Sequence, residues 1–238
     1  MNLRKLQHYI AEYRKYLRRY ADDDGVFVWE SQAIWQANFD LDAPDLAAAY
    51  DAALQNSFSK RLWTGHNYLP KEMMLKFIAL QPDFVRFMLR DLFNENKEIG
   101  GRVGRFVFHC DELLKEYKDK HPRSNENNHF HDDNFHIVSL YLAFQYPADY
   151  AICEFADFRQ MMIKLGTTDV PEINDFSRFA KVARTLYKLL SKDAELLKFH
   201  KARLDPDIHY GADSLLLVYD FIKVCVRMRE VKDYREER

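Results

Sequence analysis

Hydrophobic residues recur every three or four positions along almost the whole chain, which is the period of an amphipathic α-helix. The first helix shows this best, because its apolar stripe runs through Leu3, Leu6, Ile10, Tyr13, Leu17 and Tyr20. A short helix around Ile34 and Trp35 is predicted next, followed by helices near 44–54, 70–80, 84–92, 102–117, 132–145, 154–164, 174–190, 193–203 and 211–229. Only Val26–Trp29 shows the alternation of a strand. The pattern predicts an all-α fold of about ten helices in one compact domain.

Prolines and polar residues predict where these helices begin and where loops run. Pro44 and Pro70 suit the first turn of a helix, where a missing N–H costs nothing. Asp132 or Asp133 suits the N-cap of the helix that follows. The most polar stretch, residues 118–133, predicts a long surface loop.

The domain organisation follows from these loops and from the charge pattern. We expect residues 1–238 to form one helical domain, with a division into two lobes at the 118–133 loop left open. Residues 227–238 are dense in charge, so they predict a tail or linker.

Composition supports a helical chain, and the motifs that are missing exclude some classes of enzyme. Seven glycines and seven prolines among 238 residues argue against an all-β fold with many tight turns. The glycine-rich phosphate-loop motifs of nucleotide-binding proteins and the GxSxG motif of serine hydrolases are both missing from the sequence. We therefore predict no catalytic residue, no cofactor and no enzymatic activity for this chain.

The net charge and the cysteines indicate which partners to expect and in which cellular compartment the protein works. The net charge is -2, whereas proteins that bind nucleic acid by bulk charge are more basic. Cys110, Cys153 and Cys225 stand far apart and predict buried, reduced thiols of a cytoplasmic protein. No apolar run approaches the about 18 residues of a membrane span, so no membrane partner is expected.

Two basic rows are the candidate nucleic-acid contacts. The first lies opposite the apolar stripe of the first helix and includes Arg14, Lys15, Arg18 and Arg19. The second lies on the predicted helix 174–190 and consists of Arg178, Lys181, Arg184 and Lys188. Such rows can neutralise phosphates, and they are equally typical of solvated helix faces or of contacts with an acidic partner.

Two further clusters could bind a ligand. Trp63 and His66 lie in a predicted loop before Pro70, so they are candidates for contact with a base or a small ligand, although buried packing is the commoner role of tryptophan. Three histidines and a carboxylate lie close together at His129, His131, Asp132 and His136. If a helix begins at Asp132, then Asp132 and His136 share one helix face and could chelate zinc, iron or manganese, but the motif lacks a second ligand cluster.

Several segments, in a fixed order along the chain, resemble one protein family. They are Trp29-Glu30, Asn38–Asp40, Tyr68–Leu75, Pro82–Arg86, Asp91–Glu95, Arg105-Phe106, Cys110–Leu114, Tyr141–Pro147, Tyr150 and Leu216–Phe221. Over about residues 29–221 the chain resembles the helical N-terminal region that precedes the motor of McrB-type AAA+ proteins. Those are the GTP- or ATP-driven subunits of modification-dependent restriction systems.

The resemblance implies a division of labour in a cytoplasmic defence system. The N-terminal region would be a non-enzymatic module that reads DNA, in particular modified duplex DNA, while an AAA+ motor and a partner nuclease do the chemistry. The matched segments contain no catalytic residue. Two alternatives stay open, namely a protein–protein adaptor that does not bind nucleic acid and a metal-dependent enzyme that uses the His129–His136 cluster.

Overall fold

The computed structural model describes residues 2–19, 24–132 and 134–228. Within them the fold is all-α, as predicted, with eleven α-helices, two 3₁₀ turns and no strand. The helices are α1 Leu3–Arg19, α2 Phe27–Asn38, α3 Leu46–Ala53, α4 Pro70–Leu80, α5 Pro82–Leu92, α6 Ile99–Lys120, α7 His136–Gln145, α8 Phe155–Lys164, α9 Phe176–Leu190, α10 Ala194–Ala202 and α11 Leu216–Arg227. The 3₁₀ turns are Asp24–Val26 and Lys60–Leu62.

Local sequence explains most of the helix boundaries. Pro70 occupies the first turn of α4, and Pro82 opens α5 directly after the C-cap residue of α4, where a residue without an N–H loses no intrahelical bond. The side chains of Asp45, Asp175 and Asp193 cap α3, α9 and α10 by accepting a backbone N–H from the first turn. These caps satisfy donors that have no partner inside a helix.

The core is organised around α7 and α11. All residues of α7 from Ile137 to Phe144 are buried, so this helix has neighbours on every side. The amide of Gln32 on α2 donates to the carbonyl of Ala143 at 2.8 Å, which ties α2 along α7. Most of α11 is also buried, and α1, α8 and α9 pack against it. Functional groups near these helices are therefore held on a rigid frame.

Some expectations from the pattern are wrong in detail. Val26–Trp29 is helical, because it forms the end of a 3₁₀ turn and the start of α2. In α1 Leu6, Tyr13 and Leu17 are buried as predicted, but Tyr9 rather than Ile10 completes the buried stripe and Leu3 is 58% exposed. Tyr20 lies outside the described residues. The polar loop is confirmed but displaced, since α6 continues to Lys120 and α7 starts at His136.

Asp132 is not the N-cap of α7. The residue before α7 is Phe135, which adopts a left-handed conformation with φ of 54° and makes no side-chain cap. Asp132 instead accepts the backbone N–H of Asn134, one turn earlier. Asp132 and His136 therefore do not share a helix face. Asp133 lies outside the described residues.

Two expectations concern the end of the chain and the membrane. Arg227 ends α11, and residues 229–238 of the predicted charged tail lie outside the described residues. Among the helices of the described part, none has the length and apolar character needed to cross a membrane.

Candidate functional site

A polar groove runs along one side of α11. It consists of two adjoining cavities of about 670 Å³ and about 360 Å³. Both are lined by the 3₁₀ turn Lys60–Leu62 and by α11, through the shared residues Arg61, Leu62, Tyr219, Lys223 and Arg227. The larger cavity also has Tyr68, Asn134, His136 and Glu154 in its wall, and the smaller one has Tyr16, Phe27 and Phe58. We call this feature the α11 groove.

An ion cluster centred on Lys223 lies in the α11 groove. The Lys223 ammonium pairs with Glu154 and, at 2.9 Å, with Asp157, and the Tyr219 hydroxyl donates to Glu154 at 2.8 Å. Burial raises the pKa of Glu154, but the hydrogen bond and charge of Lys223 outweigh it and hold the pKa below its ordinary value. Lys223 is therefore neutralised by two carboxylates and adds little free positive charge to the groove.

His136 and Tyr68 form a second polar pair in the groove. The Tyr68 hydroxyl lies 2.8 Å from Nδ1 of His136. Burial lowers the pKa of His136 and raises the pKa of Tyr68, so both groups are neutral at neutral pH. They can hydrogen-bond a ligand in the groove without adding charge.

Two arginines give the groove its free positive charge. Arg61 and Arg227 are exposed, line both cavities, and have no ion-pair partner among residues 2–19, 24–132 and 134–228. Asp220, the other carboxylate in the wall, is already paired with Arg203. The α11 groove can therefore attract an anion.

The basic row of α1 is only partly free. Arg14 is bound to Asp193 at 3.2 Å and to Glu195 at 3.3 Å on α10, and Lys15 is bound to Glu12 at 2.6 Å. Arg14 therefore connects α1 to the start of α10, and its charge is already shared with two carboxylates. Arg18 and Arg19 are exposed at the end of α1, without an ion-pair partner within the described part of the chain.

The basic row of α9 divides in the same way. Arg178 pairs with Asp169 at 3.2 Å. Arg184 donates to the carbonyl of Asp149 at 3.0 Å and lies over the ring of Tyr150.

Both arginines of this row thus hold loops onto the helix. Only Lys181 and Lys188 are exposed without an ion-pair partner among the residues described.

The structure corrects the assignment of Trp63 and leaves His66 at the surface. Trp63 is 1% exposed, so its ring offers no face on which a base could stack. His66 is exposed at the tip of a tight turn that two backbone hydrogen bonds between Gly65 and Tyr68 close. Asn67 takes the left-handed position of this turn. The pair therefore does not form one ligand-binding surface.

The histidine motif is divided between two parts of the molecule. His129 and His131 are buried beside Cys110, with one ligand-type atom of each within 4.8 Å of the others. His136 instead faces the α11 groove, while Asp132 belongs to the turn before α7. The set His129, His131, Asp132 and His136 is therefore not one metal site.

The hydrogen bonds of the buried pair also leave no ring nitrogen free. Nδ1 of His131 lies 2.5 Å from the carbonyl of His129, so it carries the proton, and Nε2 then accepts from the Tyr141 hydroxyl at 2.9 Å. Nδ1 of His129 accepts the backbone N–H of His131, and Nε2 contacts Asp111 at 3.0 Å. A metal would have to displace several buried hydrogen bonds, which is costly. The arrangement is that of a structural hydrogen-bond network, which Tyr50 extends at 2.6 Å from Tyr141.

Among the polar residues of the groove, sequence reasoning identified only His136 as a candidate, and it did so for a different role. Arg61, Tyr68, Glu154, Tyr219 and Lys223 come from distant segments. Tyr68 and Tyr219 lie in segments that carry the family resemblance, but no pattern in the sequence assigns any of the five to a site. The dipeptide Lys60-Arg61 beside an aromatic segment was the one available signal, and it is weak.

Comparison with known proteins gives no further guide. No protein-family model, no curated protein and no solved structure matches this chain.

Proposed function

We propose that this chain is a non-enzymatic recognition domain that binds duplex DNA through the phosphates at the α11 groove. In a cytoplasmic McrB-like defence system it would deliver an AAA+ motor and its partner nuclease to a modified target. The observation that carries the proposal is the pair Arg61 and Arg227, two exposed guanidinium groups on one groove whose charge no described carboxylate neutralises.

Guanidinium groups suit this role. An arginine presents a planar fork of donors that matches two phosphate oxygens, and it stays charged at any physiological pH. Two such groups on one groove can contact successive phosphates, and each neutralised phosphate releases counterions. A positive charge that is already paired, such as that of Lys223, contributes much less to this binding.

The end of α1 extends the same positive surface. Tyr16 lines the smaller cavity, and Arg19 lies three residues further along α1, on the same helix face. Arg19 is therefore the member of the α1 row that we propose as an additional phosphate contact, and Arg18, exposed next to it at the end of the helix, is the second candidate. Nucleotide hydrolysis is assigned to the motor, because the chain itself has no phosphate-loop motif.

The test is a fluorescence-polarisation titration of labelled duplexes at two salt concentrations. The duplexes are unmodified, methylated or hydroxymethylated at cytosine. We expect the purified chain to bind, and R61A/R227A to weaken binding and to lower the salt slope by about two units, since each phosphate contact contributes about 0.9. A preference for one modified duplex that survives higher salt would identify the chain as a reader of that modification.

A matched control is K181A/K188A, which removes the same charge from exposed positions on α9. If the two double variants lose binding equally, the effect is bulk charge and the groove is not the binding site. If the wild-type chain binds none of the duplexes at either salt concentration, the proposal fails and the protein–protein adaptor becomes the leading function.

A further inference from the structure

An aromatic face lies on the surface of the helix pair α5 and α6, away from the residues of the α11 groove. Phe87 on α5 and Phe108 on α6 are 57% and 58% exposed. Half-buried Phe84 and His109 lie between them, with ring centroids 5.1 Å apart, and His109 also contacts both Phe87 and Phe108. Large apolar side chains grouped on a surface are typical of an interaction site.

Opposite charges flank this aromatic face at its two ends. Asp83 precedes Phe87 by four residues and Arg90 follows it by three, so all three lie on one side of α5. On α6 the order is reversed, because Arg105 precedes Phe108 by three residues and Glu112 follows it by four.

The contacts show that the two helices run antiparallel with like charges at the same end. Arg105 pairs with Asp91 at 2.7 Å. Asp91 follows Arg90 directly, so the basic residues Arg90 and Arg105 lie at the same end of the helix pair. Phe84 and Glu112 line one shallow groove. Asp83 precedes Phe84 directly, so the acidic residues Asp83 and Glu112 lie together at the opposite end.

The charge of each end is only partly neutralised. Asp83 and Glu112 are exposed and have no ion-pair partner within the described ranges. At the other end three cations share two carboxylates, because Arg90 pairs with Asp42 while Lys97 and Arg105 both pair with Asp91, which leaves that end positive. The face is thus acidic at one end, aromatic in the middle and basic at the other.

We propose that this face binds a second copy of the chain, in a two-fold symmetric dimer. A two-fold axis that lies in the interface and crosses the helices at right angles reverses the direction of the partner's helices. It places the acidic end of each copy against the basic end of the other, so that Asp83 faces Arg90 of the second copy. It also places Phe87 and Phe108 against their own counterparts. Such self-complementarity is what a two-fold interface requires.

The backbone leaves room for this approach. Gly104 lies four residues before Phe108 on α6, and a Cβ at this position would meet nothing within 4 Å. No side chain covers the α6 backbone at this position beside the aromatic side chains, so the helices of a second copy can approach it closely. The occupant is a second copy rather than a basic or an acidic peptide, because the face carries both charges in the order that its own rotated copy complements.

Sedimentation velocity over a wide range of protein concentrations tests the proposal. We expect the wild-type chain to associate reversibly from monomer to dimer. The variants F87S/F108S and G104Q should weaken the dimer by about tenfold or more, since truncating or blocking a central anchor has effects of this size. G104Q adds its side chain in open space, so it tests the interface without disturbing the monomer, and circular dichroism checks that each variant is folded.

Charge exchange on α5 tests the geometry. D83K and R90E should each fail to dimerise alone, because like charges then face each other at both ends. An equimolar mixture of the two should associate again, because both pairs are complementary once more. A wild-type chain that stays monomeric, or a dimer that G104Q and F87S/F108S leave intact, would overturn the proposal. A mixture that does not associate would overturn the two-fold arrangement.

Discussion

Helix α11 carries two charged clusters one turn apart, and they differ in their access to water. Asp220 borders the smaller cavity but is only 6% exposed, and its carboxylate accepts a hydrogen bond from Tyr13 at 2.5 Å and pairs with Arg203. The side chain of Arg203 is 0% exposed, and its guanidinium lies over the ring of Trp29. Lys223, three residues further on, lies in the α11 groove and keeps 28% of its side chain exposed.

The two clusters show which charges hold the fold and which remain available for binding. In the buried cluster little water can reach a charge that loses its partner, so breaking the pair is costly. In the groove cluster water and neighbouring carboxylates can compensate, so removal of one charge costs little stability. We therefore expect the buried cluster to determine folding and the groove to determine recognition.

The strongest test of this comparison is Asp220→Asn. The substitution keeps the shape of the side chain but removes the carboxylate charge that pairs with the buried guanidinium of Arg203. We expect the free energy of unfolding to fall by about 3–5 kcal/mol, measured by urea unfolding at neutral pH. The matched control is Asp157→Asn in the groove cluster, where we expect a loss of at most about 1 kcal/mol. Equal losses in the two variants would contradict the comparison.

The next largest effect concerns the buried histidine His131. Burial lowers the pKa of His131 to about 3 and that of His200 to about 3, whereas an unfolded histidine has a pKa of about 6.5. Between these values the unfolded chain binds a proton that the folded chain does not. The stabilisation that each neutral histidine contributes is therefore fully present above about pH 6.5. It is lost as the pH falls towards the folded pKa, by up to about 1.4 kcal/mol per pH unit.

His131→Phe separates this effect from that of other titrating groups. We expect the slope of unfolding free energy against pH in the acidic range to be smaller than in the wild type by up to about 1.4 kcal/mol per pH unit. We also expect a loss of about 1–3 kcal/mol at neutral pH, because the Tyr141 hydroxyl loses its acceptor. Urea unfolding at a series of pH values measures both. An unchanged slope would mean that His131 is not neutral and buried in the folded protein.

A smaller effect is expected in the groove itself. Tyr219→Phe removes one hydrogen bond from the Glu154 carboxylate and leaves its pairing with Lys223 in place. We expect a loss of about 1 kcal/mol in unfolding free energy and a rise in the pKa of Glu154, followed by NMR titration of its side-chain carbonyl. Loss of as much stability as in Asp220→Asn would show that the groove cluster is part of the core.

The helical fold could be predicted from the sequence, because a helix that buries one face has hydrophobic residues at every third or fourth position. Leu6, Tyr13 and Leu17 follow that period on α1, and Pro70 marks the start of α4 as expected. The site could not be predicted in the same way. Arg61 and Arg227 share one groove only because α11 packs beside the 3₁₀ turn Lys60–Leu62, and no local pattern encodes that packing.

The histidine motif shows why nearness along the chain is a poor guide to a site. Residues 129–136 cross from the core to the surface within eight positions, since Phe130 and Phe135 both take left-handed conformations. These two residues redirect the backbone, so His131 contacts Tyr141 while His136 contacts Tyr68. Left-handed conformations at phenylalanine are uncommon, and a helical or polar pattern gives no sign of them.

The smallest effect on stability, and the sharpest test of recognition, is expected at the end of α1. Arg18 and Arg19 are exposed and hold no other element of the described part of the chain in place, so R18A/R19A should leave the unfolding free energy within about 0.5 kcal/mol of the wild-type value. If they contact phosphates beside the groove, DNA binding weakens and its salt slope falls by about one to two units. Titrations at several salt concentrations measure the slope. Lys15→Ala is the control on the same helix, because its charge is already paired with Glu12. An unchanged slope in R18A/R19A would remove the end of α1 from the interface and confine phosphate contact to Arg61 and Arg227.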